Sequence, residues 1–120
     1  MIEIKAVGGD RSEREISKKA VSWSLKELGL SRLRMLSIHI EIGELNDCCG
    51  CCEEVEKRSF IIEVDNTQCF KDFIMTLMHE MVHVKQYVRN RWVGDGEREA
   101  WSLQGAMADK FLVNRKEIKS

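Results

Sequence analysis

The chain is 120 residues long, 43% apolar and 32% charged, a balance that fits one folded domain and excludes an intrinsically disordered segment. Its 19 lysines and arginines nearly cancel its 20 aspartates and glutamates, so no strong overall field draws it to nucleic acid or to an anionic membrane surface. No apolar run reaches the ~18 residues of a membrane span, and MIEIKAVGGDRSERE lacks the basic start and apolar centre of a signal peptide, so a soluble, cytoplasmic protein is expected.

Residues 2–7 (IEIKAV) alternate apolar and polar and predict a short strand, ended by Gly8-Gly9-Asp10. Ser12 with Glu15 fits a capping box, with Asp10 as the alternative cap. The helix that follows places Ile16, Ala20, Trp23 and Leu28 on one side until Gly29 stops it. SIHIEIGEL (37–45) alternates strictly, with Ile38, Ile40 and Ile42 facing one way and Ser37, His39 and Glu41 the other. SFIIEVD (59–65) reads as a second strand of this kind. Between the two, NDCCGCCEE holds the turn formers Asn46, Asp47 and Gly50, which make a hairpin the simplest connection.

Asn66 or Thr67 then caps a long helix over 68–91, whose apolar stripe is Phe73, Leu77, Met81, Val84 and Val88. Gly94 and Gly96 break it. A last helix over 97–116 turns Ala100, Leu103, Met107 and Phe111 inward. The expected order is β-α-β-β-α-α over a single domain, 1–120. The fold class is α+β, a small antiparallel sheet packed against the long helix and its flanking helices.

The long helix contains His79-Glu80-Met81-Val82-His83. Residues four apart lie slightly more than one turn from each other, so both imidazoles project from one face about 6 Å apart. That spacing lets both bind one tetrahedral zinc at ~2.0–2.1 Å. Glu80, ~100° round the helix from His79, is too offset to chelate but can reach a water held on the ion, so the pattern separates ligand from base. Catalytic zinc takes three protein ligands plus water. Glu99, 16 residues beyond His83 and across the glycine break, is the favoured third, carried back to the histidines by a helix–turn–helix return. Glu97 is its competitor, one residue after Gly96 at the helix start, where acids also serve capping and the helix dipole.

On these residues the chain resembles known enzymes. His79-Glu80-x-x-His83 followed by Glu99-Ala100 resembles the gluzincin arrangement of zinc metallopeptidases, and FIIEVDN, LMHEMVHVKQY and EREAW are similar to small SprT-like metallopeptidase domains of the phage type. The similarity spans residues 37–108 and is strongest at the histidine motif. It implies a zincin-like fold, Zn2+ as cofactor, and a protein or peptide substrate hydrolysed through a zinc-activated water with Glu80 as general base. The alternative is a catalytically inactive zinc-binding or partner-binding module on the same fold. The CCGCC segment is not a feature of that family, nor does this length leave room for the DNA-binding or zinc-ribbon segments of SprT-like repair proteases.

Accessory roles follow from position. Tyr87, one turn beyond His83, and His39 on a strand are candidate oxyanion donors, each with a plainer reading as a packed aromatic and a solvent-facing strand residue. Gln86 is a candidate to orient a ligand from behind. An exposed hairpin edge offers substrate a place as an added strand. The five cysteines, an odd count, read as reduced thiols. Cys48, Cys49, Cys51 and Cys52 form two overlapping C-x-x-C pairs, either a thiol-rich loop or a second metal or redox site closed by Cys69, Glu53, Asp47 or a second molecule. Lys85, Arg89 and Arg91 complement the dipole at the end of the long helix, with phosphate contact to nucleic acid the less favoured reading.

Overall fold

Asp10 starts the first helix. Its Oδ1 accepts from the Glu13 amide at 2.8 Å, and Glu13 Oε1 accepts in return from the Asp10 amide at 2.8 Å. Ser12 gives its hydroxyl to Asp10 instead of capping, so the alternative cap is the one used. The computed structural model describes the backbone of residues 1–119 and the side chains of residues 1–115, and Ser120 of the expected domain lies outside the described residues. Its elements are β1 (Ile2–Gly8), α1 (Arg11–Glu27), β2 (Leu36–Gly43), β3 (Gly50–Glu56), β4 (Ser59–Asp65), α2 (Phe70–Arg89) and α3 (Glu97–Lys119).

The four strands form one mixed sheet in the order β1-β2-β4-β3. β1 lies parallel to β2, with Ile4 opposite Ile38, and β2 lies parallel to β4, with Ile40 opposite Ile62. The expected antiparallel sheet and its hairpin between 37–45 and 59–65 are therefore corrected. The chain leaves β2, crosses to the far side of β4, runs back along it as β3, and turns at Arg58, whose φ of 65° is left-handed, into β4. CCGCC is accordingly the entry to an edge strand, and Gly50-Cys51-Cys52 already pairs with Val64, Glu63 and Ile62.

One face of the sheet carries the core. Leu36, Ile38, Ile40 and Ile42 of β2 and Phe60, Ile62 and Val64 of β4 pack under the helices, while Ser37, His39 and Glu41 point away from them. α2 is the central helix. It buries Phe73, Leu77, Met81 and Val84 of the expected stripe and also Ile74, Met78 and Val82 from its other sides, because β4, α1 and α3 all lean on it. It begins at Phe70 behind Cys69, with no side-chain cap bond. Thr67, an expected cap, bonds Asp65 instead. It ends at Asn90, which takes the left-handed conformation at φ 53°. α3 buries Ala100, Met107 and Phe111 against the core, with Leu103 partly covered. No helix of the described residues is long and apolar enough to cross a membrane.

Candidate metal centre

His79 and His83 lie on one face of α2 with ring centroids 5.0 Å apart. Their Nε2 atoms converge on one carboxylate, His79 at 2.9 Å from Glu97 Oε2 and His83 at 2.9 Å from Glu97 Oε1. Among the described residues, this trio is the one group of three histidine, cysteine, aspartate or glutamate side chains whose donor atoms gather at a point, all within 4.8 Å of one another. The group could hold a metal ion.

The structure thus brings the competitor, Glu97, to the histidines and not the favoured Glu99. Two residues along a helix is a rotation of ~200°, so only one of the pair can face the two histidines. Gly94 and Gly96, at φ 62° and 80°, turn the chain back after Asn90, and Asp95 Oδ1 accepts from the Glu97 amide at 3.0 Å. That start aims Glu97 inward. Glu99 sits one step behind the site, where its Oε1 accepts from Gln86 Nε2 at 2.9 Å.

Gln86 is the pivot of the arrangement. Its Nε2 is committed to two oxygens, Glu99 Oε1 and the Gly96 carbonyl, each at 2.9 Å, so its Oε1 is left to accept from His83 Nδ1 at 2.8 Å. A donor proton on Nδ1 leaves the Nε2 of a neutral His83 with a lone pair aimed at Glu97. His79 repeats the pattern, with Nδ1 2.8 Å from Gln104 Oε1. Two ring nitrogens and a carboxylate that present lone pairs to one point are a donor set satisfied by a cation, and amide oxygens behind the far ring nitrogens are the usual support of histidine ligands. The residues present therefore fit a divalent metal with a mixed nitrogen and oxygen preference.

The centre lines a cleft of about 730 Å³. α2 forms its floor, the segment Cys48–Cys52 one wall and α3 the other, with Tyr87 and Trp92 at one end. Glu80 belongs to the floor. It is 5% exposed and accepts no hydrogen bond from the described residues. Burial pushes its carboxyl above the ordinary carboxylate range; the His79 and His83 imidazoles pull against that rise and Glu97 adds to it. A Cβ on Gly50 would stand 2.5 Å from Thr76 Cγ2 and 2.9 Å from the Glu63 carbonyl, so only glycine lets β3 approach α2 this closely.

The other candidates divide. Tyr87 lines the cleft, its ring 5.8 Å from Phe60 and 5.5 Å from Trp92. His39 lies on the helix-free face of the sheet beside Glu41 and does not line the cleft. The cysteines are all unbridged. Cys48, Cys49, Cys51 and Cys52 line the cleft but form no three-ligand group among the described residues; Cys48 and Cys49 precede β3, and Cys51 and Cys52 are strand neighbours that point to opposite faces. Burial, with Glu63 next, pushes the Cys51 thiol up to about 11, and burial raises Cys52 further, so both are held as neutral thiols. Arg89 is occupied structurally, donating to the Gly29 carbonyl at 2.9 Å. Sequence reasoning missed Gln104 and Trp101, whose ring stands edge-on to His79 at 5.2 Å. Both follow Glu97 at steps of four and seven, the one-face spacing of a helix.

A buried acid beside a His-His-Glu group at the base of an open cleft defines a candidate metal-dependent site. Comparison with protein-family models, with curated proteins and with solved structures finds no match for this chain.

Proposed function

We propose that this chain is a zinc-dependent metallopeptidase of the gluzincin type, with His79, His83 and Glu97 as zinc ligands and Glu80 as general base. The observation that carries the reading is the convergence of both Nε2 atoms on the two oxygens of Glu97 at 2.9 Å, with the unbonded carboxyl of Glu80 in the same cleft. The resemblance of LMHEMVHVKQY to SprT-like domains supports the same reading. When bound, zinc supplies Lewis acidity: it polarises the scissile carbonyl and acidifies water.

The chain's own residues do the rest. Glu80 is one position round α2 from His79, which places its carboxylate beside the ligand group and not within it. It takes the proton of the attacking water and hands it to the leaving amide nitrogen. Burial raises the proton affinity of Glu80, a shift in the direction that a group which accepts and then returns a proton requires. Gln86 and Gln104 fix the two imidazoles from behind. Tyr87, at the end of the cleft one turn beyond His83, is the side chain at hand to donate to the carbonyl oxygen as charge develops on it.

The test is a Glu80→Gln substitution in zinc-loaded protein, read by metal content and by cleavage of an unfolded protein substrate. Stoichiometric zinc with cleavage reduced at least ~100-fold is expected, the usual worth of a general base. Undiminished cleavage by the substituted protein, or none by the zinc-loaded parent, overturns the proposal.

A further inference from the structure

The cleft has a direction and a sign. Along its floor α2 runs from Asp72 to Tyr87, and at ~1.5 Å per helical residue that is about 22 Å, room for some six or seven residues of extended chain. β3 flanks it as the last strand of the sheet, with its outer backbone edge unpaired. The lining includes the acids Asp72, Glu80, Asp95 and Glu97 and no lysine or arginine. A dication at the centre would balance Glu80 and Glu97, leaving Asp72 and Asp95 uncompensated. Beyond the cleft lining, the edge strand itself is acidic: Glu53, Glu54 and Glu56 of β3 are exposed, with Glu54 opposite Phe60 on the helix-covered face and Glu53 opposite Ile61 on the other, so an added strand would meet carboxylates on both faces. None of these five outlying acids is ion-paired among the described residues.

Two further features point to a ligand. Glu80 is 5% exposed as a residue, and its carboxyl opens into the cleft with no side-chain or backbone donor bonded to it among the described residues. Trp101 and Trp92 line the cleft at 65% and 46% exposure, aromatic surface of the kind that a guanidinium or ammonium is attracted to. We infer that the cleft binds an extended polypeptide segment rich in arginine and lysine, paired along the free edge of β3. The inference rests on the peptidase reading for what happens to the segment, but not for its binding. A polyanion would meet like charge along the whole groove, so nucleic acid is not the occupant.

The zinc-loaded Glu80→Gln protein serves as the probe, with binding read by fluorescence anisotropy of labelled peptides about eight residues long. A peptide with arginine or lysine at alternate positions should bind at least ~10-fold tighter than its glutamate counterpart, with the gap narrowing as salt screens it. Reversing Glu53 and Glu54 to lysine should shrink or invert the preference. Should that pair of changes unfold the strand, Trp92→Ala serves instead and should weaken the arginine peptide alone. Equal affinities, tighter binding of the acidic peptide, or displacement by a single-stranded oligonucleotide would overturn the inference, even if the parent protein cleaves peptides. Tight binding of the basic peptide with no cleavage by the parent sustains it and defeats the peptidase reading instead.

Discussion

Gly96 can be replaced with alanine to measure how much the hydrogen-bonded support behind His83 contributes. Its φ of 80° is left-handed, and a Cβ there would run into Gln86 Oε1 while standing 2.8 Å from Gln86 Cδ and 3.0 Å from Nε2. The obstructed atoms are the end of a flexible side chain, so Gln86 would swing away and not be crushed. In moving it forfeits three hydrogen bonds, to His83, the Gly96 carbonyl and Glu99. At ~1 kcal/mol each these total about 3 kcal/mol, and left-handed strain on alanine adds about 1–2 kcal/mol. Gly94 is the control. It has φ 62° and nothing within 4 Å of its would-be Cβ, so Gly94→Ala carries the strain alone. Thermal unfolding of the metal-free proteins should place Gly96→Ala about 10 °C below Gly94→Ala, at roughly 4 °C per kcal/mol. Competition with a chromophoric chelator should show zinc held ~10- to 100-fold more weakly by Gly96→Ala only. If the two alanine variants melt together and hold zinc equally, Gln86 does not brace the histidine and the reasoning is wrong.

Two further predictions separate neighbouring residues or charge states. Glu97→Ala should abolish stoichiometric zinc, whereas Glu99→Ala should keep it at no worse than ~10-fold lower affinity, because Glu99 acts through Gln86; metal analysis after dialysis distinguishes them, and equal loss would return Glu99 to the ligand set. At Asp10, the bond from the Glu13 amide, then that from the Ser12 hydroxyl, hold the carboxyl below the ordinary aspartate range. A lowered folded value means that the charged cap stabilises above the unfolded pKa of ~3.9 and that this contribution is lost as pH falls through the folded value. Asp10→Asn keeps the capping oxygen without the charge, so its stability deficit at pH 7 should fade in denaturant melts run towards pH 3.

The parts of the fold legible in the sequence were those with one buried face. Ile38, Ile40 and Ile42 alternate because helices cover one side of β2, and the stripe through Phe73, Leu77, Met81 and Val84 repeats at the helical period because α2 packs over β4. β3 gave no such signal. It is exposed over Glu53–Glu56, so nothing forces apolar residues into alternate places, and its cysteines and glycine read as a turn. Strand direction was equally hidden, since alternation is the same whichever way a strand runs. At the site, His79 and His83 stand out because four residues is a helical repeat within one element. The choice between Glu97 and Glu99 depended on where α3 begins and how it is rolled, which Gly96 and Asp95 set through backbone conformation. His39 shared the parity of Ser37 and Glu41, and that parity already placed it on the face away from α2.

β3 is fastened to the sheet through β4 alone, and four of its seven residues contribute nothing to the core. Its amides should exchange with deuterated solvent well ahead of those in β2, which is clamped from both sides. One bank of the groove is then an edge ribbon held to the sheet from one side only, while the opposite bank is anchored to the interior, so a guest strand that zips onto that edge would stiffen it. The protein would grip its guest along a strand that, left alone, has a neighbour on one side only.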